Sequence, residues 1–388
     1  MKKIRILIIG AGLYVSGKGT NGFGTIMPAI IQGKKNGYVS DIAICSTSSR
    51  SIKEVKSKFT QLSKTMAVSA NCNYFPNSKS KSHIDAIREF QPDAVIVSVP
   101  DHLHYKISMD VIKLKKHILL VKPMTNKTIF AKKMTTAAKK AKVIAQVEFH
   151  KRLDESNIIL KDKIESDQLG DILYSTIEYS QQKQIPETFF KKWSKDTNVF
   201  NYLGVHYVDL LFFLTNYKPK TVTAWGQKNY LLKKGINTWD SIQVVIEWSL
   251  NNRAFVSNHI TNWIDPNKSS AMSDQRINIV GTKGRYLADQ KNRGIEMVSD
   301  KNGPLTINPY FSQIYGDKKK NNISFDGYGI KNILQFCNDV INFENKVISL
   351  KELDYSRSSF RSALVSTAVI EAVEQSLRNK NIKIKVSL

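Results

Sequence analysis

The sequence predicts an α/β protein of two domains. The first is a doubly wound parallel sheet over residues 1–150. The second, over 151–388, is an α+β domain with a large open sheet, mixed or antiparallel. Three observations lead there. Short branched apolar runs alternate with helix-period segments through the first 150 residues, a glycine pair follows the first run directly, and longer alternating segments with little helix between them fill the remainder. A length of 388 suits two domains at roughly 100–200 residues each.

Lys3–Ile9 is a near-continuous apolar run ended by glycine, the pattern of a strand buried on both faces. Asp41–Cys45, Ala94–Val99, Ile118–Val121 and Val143–Val147 read the same way. Leu103, Ile107, Val111 and Leu114 recur at steps of four, four and three, one apolar stripe on a helix over His102–Lys116. The Ala- and Lys-rich stretch Ile129–Ala141 reads as another helix. Such alternation winds a parallel sheet by right-handed crossovers. Beyond residue 151, strands are expected at Ile172–Tyr179, Thr221–Trp225, Ser241–Trp248, Ala254–His259, Arg276–Val280 and Gly294–Val298. Ile242, Val244, Ile246 and Trp248 alternate onto one face, so helices cover one side of this sheet. Tyr315–Ser324 reads as a polar loop, followed by helices near Ile330–Phe343 and Ser358–Arg378 and a strand at Ile382–Val386.

The net charge of +25 invites a nucleic-acid reading. Yet 47 of the 58 basic residues are lysine, whereas bidentate recognition of phosphate and guanine edges favours arginine. The lysines are also spread along the chain, with Lys318–Lys320 the longest run. No specific nucleic-acid partner is expected; attraction of an anionic cofactor or substrate is the milder use of this field. The apolar stretches Ile6–Ile9 and Leu210–Leu214 fall far short of the ~18 residues that span a membrane. Gly10-Ala11-Gly12 interrupts the N-terminal run before a signal-peptide core can form, so a cytoplasmic protein is expected. Cys45, Cys72 and Cys337 are odd in number and widely spaced, which supports neither a disulfide framework nor a metal site.

Gly10 and Gly12 stand where a dinucleotide pyrophosphate meets a doubly wound sheet. Val15 replaces the third glycine of that fingerprint, and the loop runs on to Gly24 before a helix can start near Pro28. Gly12–Lys18 also spells most of a P-loop, but Gly19 occupies the place of the hydroxyl residue that holds magnesium, which argues against an ATPase. After the second strand, Ser46-Thr47-Ser48-Ser49-Arg50 offers hydroxyls and an arginine in place of the acid that binds the ribose of NAD. With no carboxylate to repel a 2′-phosphate and Arg50 to pair with it, NADP is expected over NAD. The alternative is that Ser48 or Ser49 caps a helix and Arg50 is solvated.

Two later strand ends face the same crevice. One carries Ser98-Val99-Pro100-Asp101-His102-Leu103-His104, the other Lys122-Pro123, where proline keeps the lysine extended. In the second domain Asn201–Asp209 opens an apolar helix, with His206 and Asp209 on one face. Gly10-x-Gly12, Pro100-x-x-x-His104, Lys122-Pro123 and Gly204-x-His206-x-x-Asp209, in this order, make the chain resemble the Gfo/Idh/MocA family, named for glucose–fructose oxidoreductase and inositol dehydrogenase. The resemblance implies a Rossmann domain that binds NADP or NAD through Gly10, Gly12, Tyr14, Ser46, Arg50, Ser98, Pro100, His104 and Lys122. It implies hydride transfer to or from a sugar or nucleotide-sugar, and a homodimer or homotetramer built on the open sheet. Lys122 would then polarise the substrate oxygen, and His206, with a reference pKa near ~6.5, would handle the alcohol proton. Lys151, Arg152, Asn201 and Asp209 fall on the substrate side, where Lys151 or Arg152 could meet an anionic group or pair with Asp154 or Glu155.

Two positions depart from the family pattern. Val121 replaces the glutamate before Lys-Pro, and Tyr202 replaces the aspartate four residues before the histidine. Tyr202 can donate a hydrogen bond or shape a different pocket, which makes it a third catalytic candidate. Loss of two carboxylates raises a competing reading, a non-catalytic cofactor-sensing regulator on the same scaffold. Lys122 and His206 favour the enzyme, because a sensor needs no proton-transfer pair.

Overall fold

Short apolar runs hidden from water on both faces assemble the first sheet. In the computed structural model, which describes residues 2–77, 81–191, 193–301 and 303–388, its strands are β1 (Ile4–Ile9), β2 (Val39–Cys45), β3 (Cys72–Phe75), β4 (Ala94–Val97), β5 (His117–Val121) and β6 (Ala145–Glu148). They pair in parallel in the order β3-β2-β1-β4-β5-β6. The order reverses between β1 and β4, so the crevice beyond their carboxyl ends is the switch point of the sheet. The sequence pattern does not announce β3: in Cys-Asn-Tyr-Phe only Phe75 is buried, as an edge strand allows.

The crossovers are α1 (Leu13–Ser16), α2 (Ile26–Lys35), α3 (Ser49–Thr65), α4 (His83–Phe90), α5 (His104–Lys113) and α6 (Thr128–Ala141). The glycine-rich stretch expected to be loop up to Gly24 thus contains a one-turn helix, closed by Gly17 in the left-handed region (φ 65°). Ser48 Oγ caps α3 by accepting from Ser51 N, and Ser82 with Asp85 forms a capping box on α4. The helix expected over His102–Lys116 is shorter, a 3-10 turn at Asp101–Leu103 leading into α5.

The second unit begins with α7 (Glu155–Glu165) and β7 (Ile172–Gln182), then α8 (Val205–Thr215), β8 (Lys218–Gln227) and the short α9 (Tyr230–Lys233). There follow β9 (Ser241–Leu250), β10 (Arg253–Asp265), β11 (Ser273–Gly281), β12 (Arg285–Asp289), β13 (Glu296–Ser299) and β14 (Gly303–Thr306). The sheet order is β12-β11-β7-β10-β9-β8; β7 and β10 pair in parallel, the other neighbours antiparallel. It is a mixed sheet. Ile242, Val244, Ile246 and Trp248 are buried on one face, while Tyr174, Trp225, Ile260 and Leu287 are exposed on the other. The strand expected at Gly294–Val298 lies outside this sheet. Among the described residues β13 pairs only with β14, and its mostly exposed residues give it nothing to bury against a core.

The chain then forms a hairpin of β15 (Gln313–Asp317) and β16 (Asn322–Asp326) where the sequence suggests a loop; the lysine run is its turn, with Asn321 left-handed (φ 51°). Next come α10 (Tyr328–Glu344), α11 (Leu350–Ser356), α12 (Phe360–Arg378) and β17 (Ile384–Lys385), which pairs with β8. Two compact units result, and they differ from a single cut at residue 150. The first comprises residues up to Met124, Ile129–Leu153 and Tyr310–Ala363; the second, Thr125–Thr128, Asp154–Pro309 and Leu364–Leu388. The reason is packing. Ile330, Ile333, Phe336 and Val340, one stripe of α10, join Ile323 and Phe325 in the same core as β1, β2 and α2. The three cysteines are unpaired thiols, and among the described residues no helix is long and apolar enough to cross a membrane.

Candidate active site

In the first unit the candidate residues gather at the carboxyl ends of β1, β4, β5 and β6. Gly10 turns out of β1 at φ 123°, and a Cβ there would lie 1.9 Å from the Ser98 carbonyl oxygen beyond β4. Only glycine permits that approach. Gly12 is exposed, and a Cβ on it would meet nothing within 4 Å, so its backbone is open to a ligand.

Lys122 follows β5 and is 7% exposed. Register sets Glu148, at the end of β6, opposite Val121. Glu148 is 1% exposed and its Oε1 accepts from the Tyr14 hydroxyl at 2.9 Å and from His150 Nδ1 at 2.6 Å. The His150 ring is in turn flanked by Tyr14, Phe311 and Tyr328. Burial pushes the Lys122 ammonium down to about 8, while the negative charges of Asp101 and Glu148 act in the opposite direction. Tyr14, expected among the cofactor contacts, therefore also positions this carboxylate.

His104 is fully buried. Its Nδ1 lies 2.6 Å from the Pro123 carbonyl and its Nε2 2.9 Å from the Val99 carbonyl, so it braces the turn after β4 against the Lys122-Pro123 turn. At the end of β2, Ser46 Oγ accepts from Ser48 N at 3.3 Å. Ser48 is the helix cap that the sequence offered as an alternative, and Arg50 is exposed in the first turn of α3. No carboxylate lies in residues 46–51, which suits an anionic ligand. Lys18, by contrast, donates to Ser51 Oγ at 2.7 Å. One residue here escaped sequence reasoning: Lys58 Nζ donates to the carbonyls of Ser16, Gly17, Thr20 and Gly22 and fixes the glycine-rich loop. Among 47 lysines nothing marks it in advance.

Lys151 is 1% exposed, and Arg152 donates to Ser362 Oγ at 3.3 Å. Asp154 accepts a bidentate pair from Arg293, at 2.6 and 3.2 Å.

In the second unit a π-helical turn, Phe200–Gly204, leads into α8. A Cβ on Gly204 would lie 2.4 Å from the Phe200 ring, so any larger residue there would have to displace that buried ring. His206 is 3% exposed, with the Tyr179 ring centroid 6.4 Å away. Asn201 and Asp209 are also buried, and among the described residues Asn201 Oδ1 has no hydrogen-bond partner. Tyr202 is half-buried among Phe190, Trp193 and Trp263. The structure thus places Asn201 and Tyr202 on the π-helical turn and His206 and Asp209 on α8, which directly continues it. Phe190 and Trp193 were not foreseen, although the aromatic run ending in Trp193 is a visible signal.

Residues 4–149 match the model of an oxidoreductase family with an NAD-binding Rossmann fold, and residues 159–287 match the GFO/IDH/MocA C-terminal domain. The chain belongs to the Gfo/Idh/MocA family. Among curated relatives it is 29% identical over 133 residues to the scyllo-inositol 2-dehydrogenase (NADP(+)) IolW of Bacillus subtilis, 34% of this chain and 37% of that protein. It is 23% identical over 222 residues to a myo-inositol 2-dehydrogenase of Thermotoga maritima, 56% of this chain and 63% of the relative. The matches therefore span less than two thirds of either relative. The fold resembles that of scyllo-inositol dehydrogenase from Lactobacillus casei, solved with bound NAD(H) and scyllo-inositol, at a TM-score of 0.71, 15% identity and 99% coverage of both chains.

Proposed function

We propose that this protein is an NADP-dependent oxidoreductase that transfers a hydride between the nicotinamide and a hydroxyl or carbonyl carbon of a sugar, cyclitol or nucleotide-sugar. The observation that carries the reading is the buried Lys122 at the carboxyl end of β5, the strand next to the switch point, with Asp101 and Glu148 supporting its charge. When bound, the nicotinamide supplies the hydride acceptor or donor. Lys122 donates to the substrate oxygen and stabilises negative charge developing there. His206 takes the alcohol proton in oxidation and returns it in reduction. Gly12 admits the pyrophosphate, and Arg50 pairs with the 2′-phosphate. The inositol dehydrogenase relatives, one of them NADP(+)-dependent by name, support this class. A cytoplasmic homodimer or homotetramer, associated through the open face bearing Trp225, Ile260 and Leu287, completes the reading.

The cofactor preference is tested by equilibrium titration with NADPH and NADH. NADPH should bind more tightly, and Arg50→Ala should weaken NADPH by about tenfold while leaving NADH within about twofold. A wild-type preference for NADH would sink the NADP assignment.

The charge on Lys122 gives a second test. Because kcat/KM depends on the cationic lysine, it should decline on the alkaline side near pH 8. Asp101 and Glu148 are the charges that favour the cation, and Tyr14 and His150 hold Glu148 in place. Glu148→Gln removes one of the two, so the lysine loses its proton more readily and the alkaline limb moves to lower pH. A pH–rate profile with an unmoved limb would separate Glu148 from Lys122.

A further inference from the structure

We propose that Trp193 and Tyr202 form a stacking platform for the C–H face of a six-membered polyhydroxylated ring, a pyranose or a cyclitol. Four aromatic rings meet here. Trp263 is fully buried and Phe190 is 7% exposed, so these two make a base; Trp193 and Tyr202 are half-buried upon it. The centroids of Phe190 lie 4.5 Å from Trp193 and 4.8 Å from Tyr202, and Tyr202 lies 5.8 Å from Trp263. Tilted and edge contacts at these separations are favourable and fix the orientation of the two outer rings.

A pyranose or cyclitol carries hydroxyls around its rim and C–H bonds on its faces. Those weakly positive hydrogens suit the negative face of an aromatic ring. Orientation then needs a few polar groups beside the platform. Asn201 precedes Tyr202 directly, is 3% exposed, and its Oδ1 has no hydrogen-bond partner among the described residues. Such a buried oxygen calls for a donor, and a rim hydroxyl is one. His206 lies four residues beyond Tyr202, where the same helical face continues. The assignment gives Tyr202 a binding role through its ring, in place of a proton-handling role through its phenol.

The substrate class rests on the oxidoreductase reading, so the test combines binding with turnover. The full-length protein with saturating NADP is titrated with scyllo-inositol, myo-inositol and D-glucose, following tryptophan fluorescence, and steady-state kinetics are run with the same three compounds. At least one should bind saturably. Trp193→Ala and Tyr202→Ala should each raise its Kd, and KM where it turns over, by about tenfold with kcat largely kept. Tyr202→Phe and Trp193→Phe should restore binding to within about twofold, which also separates lost stacking from misfolding. Saturable binding that weakens in the alanine variants without any turnover upholds the platform and overturns the hydride-transfer reading. Turnover with unchanged KM in both alanine variants overturns the platform and leaves that reading standing. The platform also falls if Tyr202→Phe loses as much as Tyr202→Ala, or if none of the three rings binds.

Discussion

Lys122→Ala and His206→Ala should each lower kcat/KM by about 10²–10⁴-fold while NADPH affinity stays within about threefold of wild type. The reasons differ. Lys122 is the positive group at the end of β5, buried at 7% exposure and supported by Asp101 and Glu148. Without it, charge developing on the substrate oxygen has no cation to meet. Truncation also leaves two carboxylates without that cation, so a smaller stability loss should accompany the loss of rate. Lys122→Met preserves the volume and should be equally inactive, which ties the effect to charge. His206→Ala removes the proposed proton acceptor without disturbing the glycine turn, so the loss should fall on kcat with little change in cofactor binding. Rates for a panel of sugars and cyclitols, with NADPH titrations of each variant, decide the matter. Turnover that survives either alanine would exclude that residue from the chemistry. A wild type that binds NADPH and oxidises none of the panel would favour the regulator.

Asp154→Ala should destabilise the second unit by about 3–5 kcal/mol, the cost of breaking a buried ion pair. Asp154 is fully buried, Arg293 is 7% exposed on its side chain, and the two share a bidentate contact. The same carboxylate caps α7 by accepting from Ser156 N at 3.1 Å and from Ser156 Oγ at 2.8 Å. Loss of a cap alone costs ~1 kcal/mol. Asp154→Asn retains a capping oxygen and should recover only that smaller part. Urea denaturation of the three proteins distinguishes the contributions. A loss below about 1 kcal/mol in Asp154→Ala would mean that the ion pair adds nothing beyond the cap.

What the sequence disclosed follows from the range over which its signals act. β1, β4 and β5 are buried on both faces and read as apolar runs, and the order of glycine, lysine and histidine motifs was enough to suggest the family. β3 is not visible in the sequence because an edge strand with polar residues has no such pattern. The β15–β16 hairpin reads as loop because lysine and asparagine dominate its turn. Glu148 stood in the sequence as one acid in a connecting segment; only the register of β5 with β6 sets it beside Lys122. Trp193 and Tyr202 are nine positions apart, and no periodic rule links them until the chain folds the intervening turns. The boundary near residue 150 marks a true change in texture, but periodicity carries no information about which later helix returns to an earlier core.

That return has a consequence for how the molecule is made. The core of β1, β2 and α2 includes Ile330, Ile333, Phe336 and Val340, residues synthesised after the whole stretch Asp154–Pro309. At ~5–20 residues per second, the early strands wait many seconds on the ribosome before α10 emerges to cover them. The N-terminal half is therefore not an independent module but a nascent sheet with an unfinished apolar flank. Its completion is the late event in this protein's biogenesis.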